Sequence, residues 1–280
     1  MDLSYVHVYY SALPALLFRI LYGIPYAITE HSSAFIREEL SFFDKMKARL
    51  YYRYTSANLP VSANLGGKLK KLGVKKEYKV VPNVYDPGIF FPFERENKST
   101  VIKMLFVGNL VELKGLKYLF SAFKELKRRD YVINLIGDGP LKEELAVLAG
   151  TTGVSSNIVF LGRKSKQEIA EVMRNSDFLV LPSITENLPC VIIEAFACGL
   201  PVLASSVGGI PEIVKEENGF LVKPGDTAAW TVALDFFLDE FKMYDKQKIA
   251  AEALSNFSYM AIGETLSKIF SEIIRRGNKS

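Results

Sequence analysis

Histidine and cysteine, which build most transition-metal centres and disulfides, are scarce in this chain, with two of each among 280 residues. Their spacing matches no metal-ligand motif, so we expect neither a metal nor another cofactor. Cys190 and Cys198 fall in one predicted helix and are not placed to pair with each other. This cysteine usage indicates a reducing, cytoplasmic compartment.

The chain also lacks a long apolar run and a strong charge of either sign. No run reaches the roughly 18 apolar residues that a membrane-spanning helix needs. The apolar stretch 12–22 contains Pro14 and Arg19, which makes it a poor signal peptide. A net charge of +4 suits an anionic ligand or membrane surface but is too weak to indicate nucleic-acid binding. The length allows two modest α/β domains.

What the sequence has is a regular alternation of apolar strand patterns and helical patterns, as parallel βαβ units require. Before the polar, aperiodic stretch 92–100, which is the predicted linker, strands are expected at 5–8, 26–29, 58–61 and 78–81, with helices at 13–21, 42–54 and 65–72. After it, strands are expected at 104–107, 132–136, 158–161, 178–181, 202–204 and 220–222, with helices at 116–127, 141–148, 167–174 and 190–198 and three C-terminal helices. The pattern predicts two doubly wound α/β lobes facing a cleft.

Two carboxylates flank the start of one predicted helix. Glu186 lies in the polar loop after strand 178–181, and Glu194 lies inside the apolar helix that stops at Gly199. Ligands of open parallel sheets bind at the carboxyl ends of strands. A lone carboxylate in an apolar helix needs a partner or a ligand. From these residues alone, a ligand and a neighbouring amide or arginine are equally good partners for Glu194.

A series of motifs in the second part resembles one protein family. In order, the motifs are Phe106–Leu110 with Lys114-Gly115, Gly137–Leu141, Phe160–Arg163, the Glu186/Glu194 pair, Gly208–Glu212, Asn218–Val222 and Pro224–Asp226. Looser matches in the first part are Pro25–Ser32 and Val81–Asn83. A single glycine turn is weak evidence, but the order and spacing of the whole series are specific. The series is similar to the C-terminal lobe of retaining glycosyltransferases of family 4, which have the GT-B fold.

The resemblance implies a nucleotide-sugar donor site. It assigns catalytic positions to Lys114 at the pyrophosphate and to Glu186 and His31 at the donor sugar, His31 reaching across the cleft. It assigns the ribose diol to Glu194. The remaining donor-binding positions are Gly108, Asn109, Arg163, Leu188, Cys190, Gly208 and Gly209. Cations and helix amides aimed at the pyrophosphate stabilise the charge that develops as the glycosidic bond breaks.

Several of these positions also have an ordinary structural interpretation. Without its neighbouring motifs, Lys114 is a solvated lysine at a helix start, and His31 is a structural residue at a strand end. His7 lies near another strand end without family support and is interpreted as structural. The glycines at 137–139 are a strand-to-helix turn and do not form the dinucleotide-binding fingerprint, which argues against a dehydrogenase.

The chain departs from the family pattern at three points. Asn109 stands where the family often has arginine, and Pro189 removes a backbone donor, which leaves more of the phosphate to Lys114 and to nearby amides. The first part begins at what resembles the middle of the family's N-terminal lobe, so we expect that lobe to be incomplete, with an exposed sheet edge. The expected domains are a partial acceptor-side lobe at 1–95, a donor lobe at 96–262 and a helix at 263–280 that packs back toward the first lobe.

The implied activity is transfer of a sugar from a nucleotide-sugar to a glycan or lipid-linked acceptor, with retention and without a metal, in cell-surface polysaccharide synthesis. The alternative is a non-catalytic nucleotide-sugar-binding subunit, or a degenerate copy, that needs a partner chain for the missing half-lobe. A sugar-nucleotide epimerase of the same fold is less well supported, because the paired-glutamate motif belongs to the transferases. Helix 42–54 mixes aromatic and basic residues, which fits either peripheral contact with the inner face of the membrane or an ordinary solvated face.

Overall fold

The computed structural model describes residues 2–37, 39–93 and 100–277 and divides the chain into two compact units. The first unit comprises the residues up to Val84, the segment Glu186–Leu188 and the residues from Tyr259 onward. The second comprises Tyr85–Thr185 and Pro189–Ser258. The division precedes the expected boundary at 95 because Tyr85 already bonds to the second unit, donating its N–H to Phe257 O. Most of the predicted linker, residues 94–99, lies outside the described residues.

The first unit contains a three-stranded parallel sheet. Its strands, in the spatial order β1-β2-β3, are β1 (Ser4–His7), β2 (Tyr26–Glu30) and β3 (Ala57–Pro60). Its first four helices are α1 (Leu13–Tyr22), α2 (Ala34–Arg37), α3 (Phe42–Tyr54) and α4 (Ala63–Lys71). The sequence predicted these strands and helices except the one-turn α2, which is too short to show a period.

The strand predicted at 78–81 is wrong as a full strand. Among the described residues this segment forms one isolated bridge, between Asn58 and Tyr78, although Val81 still donates its N–H to Pro60 O. Pro82 has no N–H with which to continue the ladder, so the pairing stops there.

The second unit contains a six-stranded parallel sheet in the order β6-β5-β4-β7-β8-β9. Its strands are β4 (Ile102–Val107), β5 (Tyr131–Ile136), β6 (Ile158–Gly162), β7 (Phe178–Leu181), β8 (Val202–Ser205) and β9 (Gly219–Val222). Its helices are α5 (Leu116–Glu125), α6 (Lys142–Thr151), α7 (Lys166–Arg174), α8 (Cys190–Ala197), α9 (Ile210–Ile213), α10 (Thr227–Glu240) and α11 (Lys246–Phe257). The order reverses between β4 and β7, which is the switch point of a doubly wound sheet and its usual ligand edge.

The last helix, α12 (Tyr259–Gly277), belongs to the first unit. Its Ile262 and Ile269 side chains are buried in one apolar cluster with Ala27, Leu59 and Val81. The helix therefore covers one face of the three-stranded sheet. Among the described residues, no helix is long and apolar enough to cross a membrane.

Candidate functional site

The loops that follow β4 and β7 meet at the switch point of the second unit. Ile184 donates its N–H to Leu113 O at 2.8 Å. Gly115 has a φ of +64°, and a Cβ atom there would lie 2.1 Å from the Pro182 carbonyl oxygen. Only glycine fits such a close approach in the left-handed region. The Lys114-Gly115 motif therefore reflects a packing requirement at the sheet's ligand edge.

Lys114 is positioned over the end of β4. It closes the 3₁₀ turn Glu112–Lys114, and a Cβ atom at Gly108 would lie 3.4 Å from Lys114 Cε. The turn after β5 packs against the same place, because a Cβ atom at Gly137 would lie 1.9 Å from Gly108 O. Gly108 and Lys114 are thus brought together, and Asn109 is next to them in the chain.

Glu194 is half-buried on α8, and its surroundings favour one of the two interpretations that the sequence left open. Among the described residues, no amide or arginine donates a hydrogen bond to its carboxylate. Burial raises the pKa of Glu194, while the Lys166 ammonium acts in the opposite direction. Sequence analysis missed Lys166, which begins α7 and carries no motif of its own. A half-buried carboxylate without a donor is suited to accept hydroxyl groups from a ligand.

The amino end of α8 and the turn after β8 lie at this same carboxyl edge. Pro189 is the N-cap of α8 and Cys190 is its exposed first residue. The first turn of any helix offers unpaired N–H groups and the positive end of its dipole. Gly208, with a φ of +58°, and Gly209 form the turn into α9. Ser205, which sequence analysis missed, ends β8 with a buried hydroxyl that has no partner among the described residues.

Arg163 lies further from the switch point than the other predicted residues of this unit. It follows β6, which is two strands away from β4 and so about 10 Å along the sheet. Its Nε atom is 3.8 Å from Asp138 Oδ2, and its side chain is 80% exposed. An ion pair this exposed contributes little, so the fold does not hold the Arg163 side chain in a fixed position.

Two predicted residues, Glu186 and Leu188, lie in the segment that belongs to the first unit. Leu188 O accepts a hydrogen bond from Asn83 Nδ2 at 2.7 Å. Asn187 Oδ1 accepts one from Ser62 Oγ at 3.2 Å. Asn187 stands where the family loop has a glycine, and its bond with Ser62 shows that its side chain helps to anchor the segment. Glu186 itself is half-buried.

His31 follows β2 at the carboxyl edge of the first sheet. Its ring centroid is 5.9 Å from that of His7, the residue that sequence analysis interpreted as structural. Burial lowers the pKa of His31, and the charge of His7 lowers it further. His31 is therefore a neutral hydrogen-bonding group near physiological pH.

Comparison with known proteins matches this chain over the residues that contain the motifs. The family model described as "Glycosyl transferases group 1" matches residues 90–254. A D-inositol 3-phosphate glycosyltransferase of Corynebacterium efficiens is 35% identical over 208 residues, covering 68% of this chain and 48% of that protein. The putative colanic acid biosynthesis glycosyltransferase WcaL of Escherichia coli is 27% identical over 250 residues, covering 85% of this chain and 61% of that protein. The chain thus spans about half the length of the curated relatives that it matches.

Solved structures match almost the whole chain. HepE of Anabaena, crystallised with UDP, has a TM-score of 0.87 at 21% identity, covering 97% of this chain and 79% of HepE. Sucrose-phosphate synthase of Thermosynechococcus elongatus has a TM-score of 0.85 at 20% identity, covering 98% of this chain and 74% of that one. At this identity the likeness shows the fold, and the predicted α/β GT-B class with parallel sheets is confirmed.

Proposed function

Because the chain belongs to the group 1 glycosyl transferases, we propose that it transfers a sugar from a nucleotide-sugar to a glycan or lipid-linked acceptor with retention. Cell-surface polysaccharide synthesis in the cytoplasm is the proposed setting. The main support for this proposal is the junction of the loops that follow β4 and β7, where Ile184 donates its N–H to Leu113 O. This junction puts Lys114 and the start of α8 at one ligand edge.

The proposed mechanism separates holding the donor from stabilising the leaving group. Glu194 accepts the two hydroxyls of the ribose, and Glu186 and His31 hold the donor sugar. Lys114 and the amides at the start of α8 stabilise the diphosphate as it departs, which favours the transition state over the ground state. The leaving phosphate takes the proton of the acceptor hydroxyl as the new glycosidic bond forms on the same face of the sugar.

Nucleotide affinity and turnover of two glutamate variants test the roles proposed for Glu194 and Glu186. We expect Glu194→Gln to weaken nucleotide-sugar binding roughly tenfold to a hundredfold, since each hydrogen bond to a charged group contributes about 1.5–3 kcal/mol. We expect Glu186→Gln to lower kcat chiefly, with a smaller change in nucleotide affinity. Exposed Glu217→Gln is the matched control. Equal and negligible effects of the two site variants would contradict the assignment.

A nucleotide-sugar-binding subunit that works only with a partner chain is the second candidate. It is favoured by the first unit, where β1 is an edge strand and most of α1 is apolar and exposed. An unpaired strand edge and an exposed apolar helix face are both typical of surfaces that bind another chain. Sugar transfer by the purified chain alone would rule this candidate out. Nucleotide binding without transfer, restored by an added chain, would favour it.

Contact with an anionic membrane is a separate part of the proposal and rests on α3. Phe43, Met46 and Leu50 line an apolar groove on this helix, and basic side chains border it. Arg49 is excluded from the lipid-binding set, because its Nε donates to Leu72 O at 2.6 Å. Aromatic and basic residues on one helix are typical of interfacial helices.

Vesicle co-sedimentation tests the membrane contact. Lys45→Glu, Lys47→Glu and Arg53→Glu together should abolish binding to vesicles that contain phosphatidylglycerol. Phosphatidylcholine vesicles should bind neither protein. The control reverses the same number of exposed charges in the second unit: Lys124, Lys127 and Lys142. Equal binding by wild type and the α3 variant would contradict the contact.

A further inference from the structure

At the carboxyl edge of the first sheet, one buried carboxylate binds both the segment that follows β1 and the segment that follows β2. Glu30, the last residue of β2, is 0% exposed. Its Oε1 accepts the N–H groups of His31 at 3.1 Å and Ser32 at 2.9 Å. Its Oε2 accepts the Tyr9 N–H at 3.0 Å and the Tyr52 hydroxyl at 2.9 Å. Glu30 therefore ties the segment that follows β1 to the segment that carries His31.

All four partners of Glu30 are donors, which suits a carboxylate with two acceptor oxygens. Burial raises the pKa of Glu30, and its four hydrogen bonds oppose that rise. A glutamine has one acceptor oxygen and one NH₂ group, so it would leave donors on one side of this arrangement without a partner. The four donors therefore need both acceptor oxygens of Glu30, and we call Glu30 with these four donors the clamp.

Val8, which directly precedes Tyr9 in the segment after β1, has a strained conformation. Its φ of 61° and ψ of 143° fall in a region that is essentially reserved for glycine, and Val8 is β-branched. Such strain costs of order 1–3 kcal/mol and persists where the surrounding structure fixes it, commonly at ligand sites. Here Val8 N–H donates to Thr29 O at 2.8 Å, and the clamp holds Tyr9 on its other side.

His7 is exposed, and its ring has two neighbours, the rings of Tyr5 and His31. The Tyr5 ring contacts the His7 ring edge-on, with 4.7 Å between the ring centroids. The Tyr5 ring also packs edge-on against Phe270, with 5.0 Å between the centroids. The Tyr5 hydroxyl is 2.6 Å from Thr29 Oγ1. The ring centroids of His7 and His31 are 5.9 Å apart.

We propose that His7 and His31 form a paired imidazole site for the hydroxyl groups of a polyol, and that Glu30 is the positioning residue that holds the pair. An imidazole ring in its neutral form donates one hydrogen bond and accepts another, so two neighbouring rings, here tilted by 57°, together suit a sugar or polyol hydroxyl. The inference deepens the proposed function and rests on it: the polyol is either the donor sugar or the acceptor. The strained Val8 directly follows His7 in the chain.

Imidazole NMR signals test the pair directly, because the chain has two histidines and His7→Gln and His31→Gln assign both. We expect glucose and glycerol, as free polyol probes, to move both signals along one common saturation curve. Loss of His7 should weaken the His31 response several-fold. Movement of one signal alone, or of neither in the folded protein, would overturn the shared site.

The positioning role of Glu30 has its own test. Glu30→Gln should shift and broaden both imidazole signals without ligand and weaken polyol binding, whereas Tyr52→Phe, which removes one donor and keeps the three N–H bonds, should change them little. If Glu30→Gln does not fold, Val8→Gly serves instead, because it relieves strain. It should raise stability while broadening the His7 signal. Unchanged signals in a folded Glu30→Gln protein, or in Val8→Gly, would contradict the role.

The sources of the polyol are separated by kinetics. If His7→Gln raises KM for the acceptor alone, the site serves the acceptor. A raised KM for the donor alone assigns it to the donor sugar, and no change in either KM would contradict a role in the reaction. The NMR result does not depend on turnover, so a confirmed pair in a chain without transfer would reject the proposed function and leave the binding site standing.

Discussion

The two units treat their apolar side chains differently. In the second unit α8 buries Ile192, Ile193 and Phe196 beneath a six-stranded sheet. In the first unit α1 is apolar all round, with Arg19 as its one charged residue, and it leaves most of that surface open. The exposed residues of α1 are Leu13, Leu17, Phe18, Ile20, Leu21 and Tyr22.

The two units also differ in the sheet that each can offer to a ligand. The second unit has a full doubly wound order with a switch point, so its ligand edge is complete within its own sheet. The first unit has a short sheet with β1 at its edge, and an all-apolar helix is normally buried. We infer that the groups proposed for the ribose and the diphosphate of the donor belong to the second unit, whereas Glu186 and His31, proposed for the donor sugar, belong to the first.

The largest expected effect breaks the switch-point junction. Gly115→Ala puts a methyl group 2.1 Å from Pro182 O, so it should destabilise the second unit by more than about 4 kcal/mol and abolish nucleotide binding. Gly153→Ala is the control, because Gly153 has a similar φ of +73° in open space. It should cost about 1–2 kcal/mol. Urea unfolding measures both, and equal losses would contradict the junction.

A smaller loss of stability is expected within α1, where a buried and an exposed leucine can be compared. Leu16 is 4% exposed and its neighbour Leu17 is 47% exposed. Leu16→Ala should lower the free energy of unfolding by about 2–4 kcal/mol. Leu17→Ala should change it by no more than about 0.5 kcal/mol. A large loss from Leu17→Ala in the isolated chain would mean that α1 is already covered, for example by a second copy, and a rise in that loss with protein concentration would identify self-association.

The pH dependence of stability tests the surroundings of Glu194. Burial raises the pKa of Glu194 in the folded state, so above that raised pKa the ionised carboxylate opposes folding. As the pH falls through the raised value, the folded state takes up a proton that the unfolded chain does not, and stability improves. Glu194→Gln should therefore have a higher Tm than wild type at neutral pH, and this gain should shrink under mildly acidic conditions. A lower Tm at neutral pH would contradict this account.

The smallest effect is expected at Arg163. Its side chain is 80% exposed and its contact with Asp138 is long. Arg163→Ala should change nucleotide affinity by less than about twofold and the free energy of unfolding by less than about 0.5 kcal/mol. A tenfold loss of affinity by calorimetry would show that the guanidinium itself binds the nucleotide.

In both units the sequence predicted the elements that show a clear apolar pattern, for a physical reason. Buried parallel strands such as β7 are short apolar runs between clear helix signals, and the predicted bounds of β7 and α3 match the structure. The one-turn helices α2 and α9 have no measurable period, and Pro82 ends a pairing that apolar residues alone suggested.

Long-range contacts explain what sequence reasoning missed at the sites. Lys166 approaches Glu194 from another helix, and nothing around Lys166 in sequence indicates it. His7 is a candidate site residue because its ring lies near that of His31 and because the strained Val8 follows it. Residue propensities do not predict a positive φ for a β-branched residue such as Val8. Gly115 was marked by a motif, but the reason for it, the Pro182 carbonyl, comes from a loop far along the chain.

The most direct test of the central claim, that the switch point of the second unit binds the donor nucleotide, is calorimetric titration of the purified chain. UDP, GDP and ADP would each be titrated into wild type and Glu194→Ala. We predict that wild type binds one of the three nucleotides and that the variant loses that binding while remaining folded. Equal binding by both proteins, or no binding of any nucleotide by folded wild type, would contradict the account.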